Sequence, residues 1–307
     1  MSSGRRQHTI PRFYLEQFFP GFCYRYGAKS PRYHKKAKDV AVQTDYYGGP
    51  DDDLKMLDSM NSFIENEAAP VLQRLVYDTT SITRNDWVTL SYYFANMYVR
   101  TPAFHESMKR DFQKITEQLN WMARDMMASV ERARAEGKDV SIPDMLPDDD
   151  SPRFTMDEWN KWAEELETEQ GRLNMTATFY RYMKDIAEYI QRMTIFILNA
   201  TGGLFFVTTD RPLILLSMSF GSTLGAGWGN ADAFAILPLD PKHFMTMFYA
   251  GPPSVRGKDL SADEVHFFNS EMMKYATNEV YSKYPYNMAL DWMHRRGQWT
   301  PPKKGKR

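Results

Sequence analysis

Cys23 is the only cysteine in this 307-residue chain. One thiol cannot build an intrachain disulfide framework or a thiolate metal cluster, and it suits a reducing compartment. An excess of one charge is also lacking, since 38 lysines and arginines face 39 aspartates and glutamates for a formal net charge of −1. No global field therefore draws the chain to nucleic acid or to a membrane surface, and any anion site must be local. The apolar stretches are too short and too interrupted to span a bilayer. Basic residues near the start are followed by no apolar run of the secretory kind. The expectation is a soluble, cytoplasmic protein. Nucleophile signatures are missing too, with no Gly-x-Ser-x-Gly anywhere and Cys23 placed in an expected strand. His34, His105, His243, His266 and His294 lack the spacing of zinc ligands. Gly221 to Gly229 is glycine-rich but has no Walker lysine, and reads as a loop between strands.

What is present is ordinary globular material, with 43% apolar and 25% charged residues, enough for one sizeable core. A single domain over 7–300 is expected. Phe22-Cys-Tyr-Arg-Tyr26 alternates and, with a second run ending in Val40-Ala-Val42, reads as a hairpin. From Asp53 to Tyr77 the apolar residues Leu54, Leu57, Ile64, Ala68, Val71, Leu72 and Leu75 form one helical stripe, with a kink expected at Pro70. A second helix starts at Thr83, with Asp86 near its positive end, and carries Trp87, Leu90, Phe94, Met97 and Tyr98 as far as Arg100-Thr-Pro102. Residues 103–172 form a helical excursion with an acidic, proline-rich hinge at 137–153. It reads first as a solvated surface hairpin and second as a lid or a protein-partner site. Thr155-Met-Asp-Glu158 is a capping box.

Met175, Phe179, Met183, Ile186, Ile190, Met193 and Ile197 form a further helical stripe. Short runs at Leu204–Val207, Leu213–Leu216, Phe234–Leu237 and His243–Tyr249 read as strands. Ser261-Ala-Asp-Glu264 is a capping box opening a helix that ends near Lys283. The basic tail, 301–307, is expected to be disordered. The fold class is α+β, predominantly helical with a small antiparallel β-sheet.

Polar residues fall where an apolar accounting would not place them. Asn269 lies on the buried stripe of the last helix, and a buried amide without partners costs about 1–3 kcal/mol. Glu65 and Arg100 sit at the edges of the two long stripes. Asp210 precedes a proline turn, Asp45 closes the hairpin segment, and His8, Arg12 and Tyr14 crowd the opening Gln7-His8-Thr-Ile-Pro11-Arg-Phe-Tyr14-Leu.

That opening resembles the His-x-x-Pro-x-x-Tyr/Leu-Leu motif of the family called domain of unknown function 4238. The similarity continues through Asp45-Tyr46, Glu65 with Ala68-Ala-Pro-Val-Leu72, Arg100-Thr-Pro102, Thr209-Asp-Arg-Pro212, Pro238-Leu-Asp-Pro241 and Asn269. It spans about residues 7–283 in order, departing at Arg12 and Asn96, where glutamine is common. The resemblance implies a set of positions and no reaction.

Two functional readings follow. In the first, a phosphodiester- or phosphate-acting, nuclease-like hydrolase binds nucleic acid or nucleotide, in the setting of a toxin or defence effector. There His8 shuttles a proton and Arg100, with Arg12, holds the phosphate. Asp45, Glu65 and Asp210 orient the imidazole or carry Mg2+, and Tyr14 and Asn269 contact substrate. In the second, the chain is a non-catalytic interaction module whose polar network is structural.

Overall fold

Pro11, with its fixed φ, opens the first helix, α1 (Arg12–Phe18), which buries Tyr14, Leu15 and Phe18. The computed structural model describes residues 6–27, 32–44, 52–78, 81–107, 182–223, 226–251 and 254–295, together with scattered positions from 110 to 137. It divides into two compact units, Met1–Ala103 with Thr178–Arg307, and Phe104–Ala177. In the second unit the described positions up to 135 are helical, and the turn at Gly137 takes a φ of 76°. The hinge at 138–153, the capping box at Thr155, Met175, Phe179, Asp45 and the tail at 301–307 lie outside the described residues.

The first unit holds every described strand. β1 (Arg6–His8) pairs antiparallel with β4 (Val42–Thr44), His8 opposite Val42. β2 (Phe22–Gly27) and β3 (Arg32–Lys36) form a hairpin as expected, but its second strand stops at Lys36, short of Val40-Ala-Val42, and a 3-10 turn follows at Ala37–Asp39. Two long helices come next. α2 (Asp52–Tyr77) stays helical through Pro70, which lies exposed. α3 (Arg84–Val99) starts at a complete capping box between Thr83 and Asp86. A helix over 182–190, α4, then leads into β5 (Thr194–Ala200).

The remaining elements are β6 (Thr208–Thr209), β7 (Ile214–Ser217), β8 (Ala233–Pro238), β9 (His243–Phe248), β10 (Val255–Leu260), α5 (Ala262–Tyr275), β11 (Glu279–Ser282) and α6 (Asn287–Arg295). They assemble into a five-stranded sheet, β10-β5-β9-β8-β7, and a four-stranded sheet, β3-β2-β11-β6. Strands β5, β8 and β9 are buried almost throughout, and Phe206, Phe244 and Met245 are sealed completely. No described helix is long and apolar enough to cross a membrane.

The expected fold class needs correction. A small antiparallel sheet under a mostly helical protein gives way to a mixed α/β architecture with three sheets of two, five and four strands. The largest sheet is not wholly antiparallel, because β10 runs parallel to β5. Three local errors explain the shortfall. Met193 and Ile197 fit a helical stripe, yet the helix stops at 190 and Thr194–Ala200 is extended. An apolar run buried on both faces loses its alternation, so period alone cannot separate helix from strand. The last helix ends at Tyr275, not near Lys283, because Val280 and Tyr281 join β11 and pair with β2 and β6. Finally, Leu204–Val207 lies in no strand; the ladder begins at Thr208.

Candidate functional site

Arg100 caps the C-terminus of α3 and is only 5% exposed. Its Nη1 donates to Glu65 on α2 and, at 3.4 Å, to Asn96 Oδ1; its Nη2 donates to the backbone carbonyl of His8 at 2.8 Å. One turn up the same two helices, Asn96 Nδ2 donates to Asn61 Oδ1 at 2.7 Å. These two α2–α3 contacts are polar and buried or half-buried, and the guanidinium extends the bridge to β1. Tyr93 stands beside this set, its hydroxyl pushed well above the ordinary tyrosine range by burial and then by the Glu65 charge.

The structure brings His8, Glu65 and Arg100 together, but it joins Arg100 to the backbone of His8. Arg12 is elsewhere, exposed on α1 and bonded to Glu16 one turn on, Nε to Oε1 at 2.7 Å.

Tyr14, Asn269 and Asp210 meet on a different feature, the chain segment from Phe205 to Asp210. Asn269 holds it like a missing strand, accepting from Val207 N and donating to Phe205 O, both at 2.9 Å. Tyr14 is fully buried, with its hydroxyl donating to Pro238 O at 2.7 Å and lying 2.8 Å from Thr208 Oγ1. Burial pushes that phenol far up, so it stays protonated. Asp210 accepts from Thr277 N at 2.9 Å and Asn278 N at 2.6 Å, fixing the turn between α5 and β11. Side chains here replace the ladder bonds that a regular strand would have made.

Asp210 also faces a cleft of about 230 Å³, whose walls include Thr9, Arg25, Asp39, Gln43 and Glu279. Arg25 is ion-paired with Glu279, which also accepts from the Tyr281 hydroxyl. Neither His8 nor Arg100 is among its described lining residues. Arg25, Asp39 and Glu279 are the site residues that sequence reasoning missed. Arg25 was visible only as a polar step in the alternation of β2, and Glu279 was hidden inside a segment read as helix.

Among the described residues no group of three or more His, Cys, Asp or Glu side chains is placed to hold a metal ion. Asp240 is a turn residue, accepting from Lys242 N at 2.6 Å and His243 N at 2.9 Å, with His243 Nδ1 2.8 Å from its other oxygen.

A family model described as "Protein of unknown function (DUF4238)" matches residues 6–284. No curated protein and no solved structure matches the chain.

Proposed function

From the premise that the chain belongs to the family described as "Protein of unknown function (DUF4238)", we propose that it is a non-catalytic binding module whose polar network is scaffold. A single observation carries the reading. Both terminal nitrogens of Arg100 are already engaged, by Glu65, Asn96 and the His8 carbonyl, at a residue only 5% exposed. A guanidinium so placed has no free edge for a phosphate, and its removal strands a half-buried carboxylate. Tyr14, Asn269 and Asp210 support the same reading, since each binds main-chain groups. A cytoplasmic setting is part of the proposal, because the single cysteine is buried and needs no oxidising compartment. Partners are then proteins or small molecules bound at the surface of either unit.

Arg100→Ala tests it. Breaking a buried pair costs about 3 kcal/mol, which in a protein of this size lowers the melting temperature by roughly 6–12 °C. Purified wild type is expected to leave RNA, DNA and nucleotides intact with or without Mg2+ or Mn2+. Turnover that disappears in His8→Ala, with the melting temperature unchanged, would overturn the reading.

A second reading keeps the nuclease-like hydrolase, and one observation favours it. Asp39, Asp210 and Glu279 line one cleft with Arg25, whose guanidinium could meet a nucleic acid or nucleotide phosphate. The same assay, run with Asp210→Asn, decides between the two.

A further inference from the structure

A cavity of about 790 Å³ lies between the start of α3, the end of α4 and the first residues of β5 and β10. Small-molecule sites have volumes of roughly 300–1,000 Å³, mostly apolar walls and a few placed polar groups. The floor here is apolar, with Val88, Met193, Ile195 and Val255 among its lining residues. Two cations stand at the rim. Arg84 and Arg192 are both exposed, and neither makes an ion pair among the described residues. Arg192 is positioned against the Tyr189 ring, 5.8 Å from its centroid. Of the carboxylates nearby, Asp86 is engaged by Arg74 and the Thr83 backbone, while Glu188, which also lines the cavity, lies 3.9 Å from Lys184.

Trp87 and Ser254 also line the wall. Trp87 is only 9% exposed, and its indole nitrogen, like the Ser254 hydroxyl, is buried away from solvent. The α3 terminus is not the attraction, because the Thr83–Asp86 capping box already satisfies it.

We infer that this cavity binds a small organic anion with a flat apolar body. Its carboxylate or phosphate is held by Arg84 and Arg192, and its body lies against Trp87 and the Val88–Ile195 floor. The guanidinium pair supplies forked donors that a carboxylate or phosphate monoester accepts equally well. The inference deepens the binding reading above and rests on it.

Isothermal titration of the full chain with 2-naphthoate, 2-naphthyl phosphate and neutral 2-naphthamide tests the site. At least one of the two anions should bind at 1:1 stoichiometry, and comparing them identifies the headgroup. The amide should bind at least tenfold more weakly. Arg84→Ala/Arg192→Ala should weaken the anion by about tenfold or more, as expected for charge-assisted bonds. Val88→Trp, which fills the floor, should abolish binding. Both arginines are surface residues, so the double variant keeps the test valid even where Val88→Trp fails to fold. No binding of either anion to folded wild type, equal binding of the amide, or unaltered affinity in the double variant would overturn the site. Failure of that kind, with Arg100→Ala still destabilising and hydrolysis still absent, would remove the cavity and leave the binding reading standing.

Discussion

Arg100 and Cys23 show how burial decides what a reactive-looking side chain can do. Arg100 carries a versatile anion-binding group, yet its donors are directed at Glu65, Asn96 and a main-chain carbonyl. Cys23 is 1% exposed, and its thiol is pushed up to about 12, mainly by loss of solvation, with the Arg25 charge opposing only in part. A thiolate is the reactive species. The native protein should therefore resist a thiol reagent such as DTNB at pH 8, and react stoichiometrically once denatured in guanidinium. Rapid native modification would mean that β2 opens readily. At this scale the sequence was informative about which polar side chains are engaged and silent about what engages them. Glu65, Arg100 and Asn269 were picked as polar side chains on or beside apolar stripes, and each makes buried or half-buried polar contacts; Asp210 was picked from its proline turn and holds an exposed turn. Periodicity reports burial; it carries no information on whether the partner is a substrate or a backbone amide.

Helix α5 is the element whose start was most legible. Ser261 Oγ accepts from Glu264 N while the Glu264 carboxylate accepts from Ser261 N at 2.9 Å, and Lys258 Nζ lies 2.6 Å from the same carboxylate. These bonds, the Lys258 one foremost, hold the Glu264 carboxyl down at about 2 against an ordinary 4.5. A carboxyl lowered by folding contributes stability that is fully present above about 4.5 and is lost as pH falls through about 2. Glu264→Gln has no such proton to take up, so its melting temperature should fall less steeply than wild type between pH 4.5 and 2. Ser261→Ala should cost about 1 kcal/mol at neutral pH. Parallel slopes for Glu264→Gln and wild type would rule the cap out as a pH-sensitive group. Starts were legible because capping is local chemistry written in four residues. Ends and changes of period were not. Val280 reads equally well as the next turn of α5 or as a strand residue, and what settles it is pairing with β2, more than 250 positions away. The same non-local dependence hid β5, whose neighbours β9 and β10 lie about 50 residues on.

The whole molecule is knit from its two ends. β2 pairs with β11, and Arg25 reaches Glu279 across 254 positions. All three sheets, the Arg100 bridge and the segment tied by Tyr14, Asn269 and Asp210 fall within Met1–Ala103 and Thr178–Arg307. Loop closure grows only logarithmically with length, by roughly 0.6 kcal/mol per doubling, so a long insert between α3 and α4 is cheap to carry and cheap to remove. Replacing 104–177 by a Gly/Ser linker of about 20 residues, which spans roughly 25 Å on average, should leave a cooperatively folded protein. Its melting temperature should lie within a few degrees of wild type, and it should remain as sensitive to Arg100→Ala. The sensitivity is the sharper readout, because it reports that α2, α3 and β1 still meet. A protein that loses its unfolding transition on excision would show that the second unit supports the first, and the division of labour between scaffold and excursion would have to be redrawn. An intact, Arg100-dependent core would instead confine any partner lost on excision to Phe104–Ala177 itself.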